Sequence, residues 1–125
     1  MFAAIERIRA QLAEHVKAPI AVSAKRMQWA FSEDSEAWCD IDVRDLAADR
    51  FVLVVVADSS ANPQRGELLT RVWHYYCPEV WIVDSEARSI SVRVRDEPAY
   101  VAASSIVPTK LPSVTIDTRE LFSDD

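Results

Sequence analysis

Hydrophobic and polar positions follow three rhythms along this chain, and each predicts an element. Phe2, Ile5, Ile8, Leu12 and Val16 recur every three or four positions, with Glu6, Arg7, Arg9, Glu14 and Lys17 between them. This spacing gathers the apolar side chains on one stripe and predicts an amphipathic helix over 2–17, stopped by Pro19. The second rhythm has no alternation. Phe51-Val52-Leu53-Val54-Val55-Val56-Ala57 is apolar throughout and mostly β-branched, as expected of a central strand covered on both faces. The third alternates strictly. From Ser89 to Arg95, Ile90, Val92 and Val94 are set toward a core and Ser91, Arg93 and Arg95 outward. Val80-Trp81-Ile82-Val83 precedes it across a turn at 84–88, so the two strands form a hairpin.

The segments between are less regular. Ile20 to Phe31 reads as extended, with a bend near Lys25, and Ser32-Glu33-Asp34-Ser35-Glu36 as a polar turn. Trp38 to Val43 reads as one short strand whose alternate residues Asp40 and Asp42 share a face. Asp45 to Asp49 is a connector. Asp58 to Asn62 ends the central strand, and Pro63 suits the first turn of a helix running to about Tyr75, with Leu68, Leu69, Val72 and Trp73 as its apolar side. Cys77-Pro78 breaks that helix. Tyr100-Val101-Ala102 suggests a further edge strand, and Leu121-Phe122 a last short turn. The order helix, strands, helix, hairpin predicts an α/β (α+β) fold, a sheet flanked by two helices, with residues 1–125 forming one domain.

Composition narrows the function more than the fold. The 125 residues suffice for one sizeable core, half are hydrophobic, and no apolar run approaches the roughly 18 residues of a membrane span. The opening residues lack the basic-then-apolar pattern of a secretory leader, so the expected setting is cytoplasmic, without a membrane partner. Cys39 and Cys77 form no Cys-x-x-Cys pair, and His15 and His74 are not spaced as zinc ligands. Both cysteines read as small buried hydrophobes. A net charge of -6 argues against a dedicated nucleic-acid binder, though not against a local basic patch. Gly66 is the only glycine, so there is no glycine-rich phosphate loop. Ser59, Ser60 and His74 form no recognisable nucleophile constellation. Trp73, Tyr75, Tyr76 and Trp81 cluster in sequence near the second helix, where packing is their usual role.

Two segments carry a resemblance. Tyr75-Tyr76-Cys77-Pro78-Glu79-Val80-Trp81-Ile82-Val83-Asp84-Ser85-Glu86-Ala87-Arg88 and the closing Leu111-Pro112-Ser113-Val114-Thr115-Ile116-Asp117-Thr118-Arg119-Glu120-Leu121-Phe122 resemble the Uma-two family of restriction-endonuclease-like proteins. That family is placed in the PD-(D/E)xK nuclease superfamily, and the likeness covers roughly 37–122. It implies a restriction-endonuclease-like core with a central mixed sheet. It also implies a site in which two carboxylates hold Mg²⁺, which activates a water, beside a lysine that stabilises charge. The family's Pro-Asp strand matches Cys39-Asp40, so Asp40 keeps the first carboxylate. Its glutamate falls on Val54 and its lysine on Leu68. The family's pair of strands before the first helix has no counterpart here.

Three readings follow. The first is a catalytically inactive relative acting as a binding or interaction module, with a homodimer as the expected assembly and no cofactor. The second is an active Mg²⁺-dependent DNA nuclease with a migrated site built from Asp40, Asp42 and Glu67. The third is a structural remnant without a nucleic-acid partner. Arg88, Arg93 and Arg95, on or near the outer face of the hairpin, are the candidate contacts to DNA phosphate, weighed against a solvated sheet face that discourages aggregation.

Overall fold

The structure is a computed structural model that describes residues 3–24, 27–32, 35–57, 63–84 and 86–122. The expectations for Phe2, Lys25, Glu33, Asp34, Asp58, Ser59 and Ser60 lie outside the described residues. In chain order the elements are α1 (Ala3–His15), β1 (Ile20–Ser23), β2 (Met27–Ser32), β3 (Ser35–Cys39), β4 (Ile41–Asp45), β5 (Arg50–Ala57), α2 (Pro63–Trp73), β6 (Glu79–Asp84), β7 (Ser89–Val94), β8 (Tyr100–Val101), β9 (Ser105–Ile106) and β10 (Ile116–Asp117), closed by a 3-10 turn at Thr118–Glu120.

Among the described residues, six strands form a mixed sheet in the order β1-β4-β5-β6-β7-β8. β5 and β6 run parallel, joined through α2, and the other neighbours are antiparallel. β2 and β3 pair as a separate hairpin, and β9 pairs with β10 in the closing segment. β5 is central, as its unbroken apolar run predicts. Leu53 and Val55 point to the α1 face and Val54 and Val56 to the α2 face, all fully buried. Burying each such side chain contributes about 1.5–3 kcal/mol, which is why this segment tolerates no polar position.

On one face Ile5, Ile8 and Leu12 of α1 pack over Ile41, Leu53 and Trp81, and Ile116 and Leu121 from the chain's last segment complete the layer. On the other, Leu69 and Trp73 of α2 cover Cys39, Val54, Val80 and Ile82. Several expectations need correction here. The strand read over 38–43 is two strands, broken at Asp40. Leu68 is not part of the buried side of α2. It is 59% exposed, because Leu69 and Trp73, four apart, take the sheet-facing stripe and turn residue 68 about 100° away. Trp73 and Trp81 are both buried but on opposite faces of the sheet, while Tyr75 and Tyr76 are exposed, so the four aromatics form no single cluster.

Scarcity of glycine shows in the turns. Asp49, Arg88 and Asp96 adopt left-handed backbone, with φ of 52°, 52° and 66°. Aspartate tolerates this region better than most residues, whereas arginine there costs roughly 1–2 kcal/mol.

Candidate active site

Asp40 occupies the break between β3 and β4 and is 4% exposed. Its N–H donates to Val55 O at 2.8 Å, and its Oδ2 accepts from Ala57 N at 2.8 Å. The carboxylate therefore satisfies a backbone donor where β4 and β5 part, a requirement set by burial. Two residues on, Asp42 lies opposite Ser23 on one side and Val54 on the other. It is 3% exposed, and its carboxylate takes no hydrogen bond among the described residues. Burial pushes its pKa up from the ordinary carboxylate value, and the Arg44 guanidinium offsets part of that rise.

Val54, at the family's glutamate position, is directly across from Asp42 and fully buried with Leu69 and Trp73. Leu68, at the lysine position, projects into solvent. Glu67 is drawn elsewhere: its Oε1 lies 2.8 Å from Arg93 Nη1. Arg93 also donates to Thr70 Oγ1 at 3.1 Å and to Ser91 Oγ at 3.2 Å. Contrary to the outward placement read from alternation, Arg93 is tucked against α2 on the covered face, its side chain 17% exposed. β7 lies three strand spacings from β4, roughly 14 Å at about 4.8 Å each. Asp40 at the strand break, Asp42 opposite Val54 and Glu67 paired with Arg93 are not gathered into a metal-holding group among the described residues.

The three arginines of the hairpin form no common patch either. Arg88 sits in the β6–β7 turn and Arg95 just beyond the far end of β7, seven residues away, a span of roughly 23 Å along an extended strand. Arg88 lines a cleft of about 380 Å³ with Arg119, whose guanidinium is held by Asp117 at 3.1 Å.

A magnesium ion takes near-octahedral oxygen ligands and retains several waters. Among the described residues no group of three or more His, Cys, Asp or Glu side chains is gathered in a way that could hold a metal. Asp40 accepts the Ala57 amide at Oδ2, Asp42 faces a valine and Glu67 is paired on β7, so these three carboxylates do not converge on one Mg²⁺ position among the described residues.

One residue escaped the sequence reading. Glu79 is 1% exposed; its Oε2 accepts from Trp81 Nε1 at 2.6 Å and its Oε1 from Thr109 N at 2.8 Å. It ties the closing segment to the sheet at the start of β6. The signal was present: an acidic residue opening a strand that is otherwise apolar must carry its own partners. Cys77 beside it is fully buried, and burial pushes its thiol up to about 12, which keeps it unreactive.

No protein-family model matches the chain, and no curated protein matches it in sequence. Among solved structures, the chain is similar to a candidate nuclease belonging to DUF820 from Anabaena variabilis ATCC 29413, with a TM-score of 0.72 and 12% identity over 96% of this chain and 78% of that one. No helix among the described residues is long and apolar enough to cross a membrane. The likeness is one of fold: a central mixed sheet flanked by helices, the architecture of a restriction-endonuclease-like core.

Proposed function

We propose that this chain is a degenerate relative of the Uma-two nucleases that has lost cleavage and acts as a binding module. The observation that carries the reading is Val54. A carboxylate there would face Asp42 across the β4–β5 ladder, and the residue present is instead a fully buried valine packed with Leu69 and Trp73. Loss of one metal carboxylate removes the charge that holds the ion, and loss of a preorganised cation at the lysine position typically costs about 10²–10³ in rate. Asp40 keeps a use that needs no metal, since it caps the Ala57 amide.

The test is calorimetric titration of the protein with Mn²⁺ beside an Asp40→Ala control, together with nicking of supercoiled plasmid. The expected result is no saturable heat and no nicking in either protein. Saturable binding and nicking that disappear in Asp40→Ala would overturn the reading in favour of a rebuilt catalytic site.

A further inference from the structure

At the end of the sheet away from Asp40, the starts of β5 and β6 and the residues after β7 bound a cleft of about 360 Å³. Arg50, Arg95 and Lys110 line it, and Tyr76 and Phe51 form its aromatic wall. Each cation reaches it from a different element: the first residue of β5, the turn after β7, and the closing segment. Arg50 to Ala57, which meets Asp40, is seven residues along β5, so the two ends are roughly 23 Å apart.

Three features describe the charge and the build of the cleft. First, no side-chain hydrogen bond or ion pair engages Arg50, Arg95 or Lys110 among the described residues, while Arg9, Arg44, Arg93 and Arg119 are all paired with carboxylates. Second, the placement of Lys110 is built: the preceding residue, Thr109, donates its amide to buried Glu79, and Leu111 N donates to Pro108 O at 3.1 Å to close the turn around it. Third, the one carboxylate lining the cleft, Asp45, is already turned to the amides of Ala47 and Ala48 at 3.1 and 3.2 Å. Three cations against one carboxylate leave two positive charges, in a chain whose formal net charge is -6.

We propose that this cleft binds the phosphate group of a nucleotide, with Tyr76 as the wall against which the base rests. Two guanidinium forks and an ammonium match the several acceptor oxygens of a phosphate better than the two of a carboxylate. Tyr76, 39% exposed and with its ring tilted against Tyr75 at 6.4 Å between centroids, supplies an aromatic surface of the kind on which bases stack. The inference names a ligand class for the binding module proposed above and rests on that reading only for its binding half. Cleavage is tested at Asp40, phosphate binding at the other end of the sheet, so either can fail alone.

The experiment titrates the ¹⁵N-labelled protein with inorganic phosphate, adenosine 5′-monophosphate and an oligothymidylate, reading amide shifts and calorimetric heats. Saturable binding of the mononucleotide is expected, tighter than inorganic phosphate, with shifts confined to the amides around Arg50, Tyr76, Arg95 and Lys110. Arg95→Ala/Lys110→Ala should weaken it by about tenfold or more, and Tyr76→Ala should weaken the nucleotide but not inorganic phosphate. Arg119→Ala, in the other cleft, should leave both unchanged. Tighter and steeply salt-dependent binding of the oligothymidylate would identify the source as a nucleic-acid strand; equal or weaker binding would identify a free nucleotide. No saturable binding of any probe by about 10 mM, or binding that persists in the folded double variant, would overturn the proposal.

Discussion

Glu79→Ala is the perturbation with the largest consequence that can be worked from single contacts. The carboxylate accepts two hydrogen bonds, from Trp81 Nε1 at 2.6 Å and Thr109 N at 2.8 Å, and both it and Trp81 are buried. A hydrogen bond to a charged group contributes about 1.5–3 kcal/mol net, and an abandoned buried donor keeps its full desolvation penalty. Removing both bonds should cost roughly 3–6 kcal/mol, a large share of the ~5–15 kcal/mol that holds a domain folded. With a urea m value near ~2 kcal/mol per molar, the unfolding midpoint should fall by roughly 1.5–3 M. Glu79→Gln sharpens the test. Its amide offers one acceptor oxygen, and its NH₂ must face the second donor, so about half the loss is expected. Urea unfolding followed by tryptophan fluorescence measures both variants. If each lies within ~1 kcal/mol of the unmodified protein, Glu79 is not the clamp described and the closing segment is held by its apolar contacts alone.

Further outcomes follow from the other buried groups. The folded-state pKa of Asp42 is raised, so the folded form holds its proton more tightly than the unfolded chain, and this residue's contribution to stability declines as pH rises from the ordinary carboxylate value through the folded one. Asp42→Asn should accordingly melt higher at pH 7, with an advantage that shrinks as pH falls toward 4; an equal or lower melting temperature at pH 7 would count against the burial argument. Glu67→Ala breaks an ion pair whose glutamate is 65% exposed, so it should change stability by under ~1 kcal/mol and leave any Mn²⁺ titration unaltered. A Mn²⁺ heat that depended on Glu67 would instead place that residue at a metal. Cys39 and Cys77 are both fully buried. Ellman's reagent should find no reactive thiol in the native protein and both in guanidinium; rapid native labelling of Cys77 would contradict its burial.

The parts of the fold most legible in sequence were those where one periodicity governs a whole element. The α1 stripe, the unbroken run of β5 and the β6–β7 hairpin all express local rules. What stayed hidden depends on partners distant in sequence. Nothing local says that Asp40 interrupts a strand, because its role is to meet an amide seventeen residues later. The rotation of α2 decides that Leu69 rather than Leu68 is buried, and both residues fit an apolar stripe read from composition. Alternation correctly put Arg93 on the face opposite Val92, yet that face is solvent only if no helix covers it, and α2 does. For the site, sequence singled out Asp40 and Asp42 from a single-strand reading that the break at Asp40 replaces, while the commitment of Glu67 to Arg93 required knowing that α2 leans over β7.

The bonds between α1 and the closing segment bear on how the chain acquires its fold. Gln11 exchanges two hydrogen bonds with the backbone of Asp117, at 2.8 and 3.2 Å, and Arg7 Nη1 donates to Leu121 O at 3.0 Å. These contacts join residues more than a hundred positions apart, and Ile8 and Leu12 share their core with Ile116 and Leu121. Closing so long a loop carries an entropic cost that local contacts cannot offset early. On a ribosome, α1 emerges about a hundred residues before the segment that completes its cover, so its apolar stripe stays partly open in the meantime. Until then that stripe is a surface for chaperones or for neighbouring nascent chains.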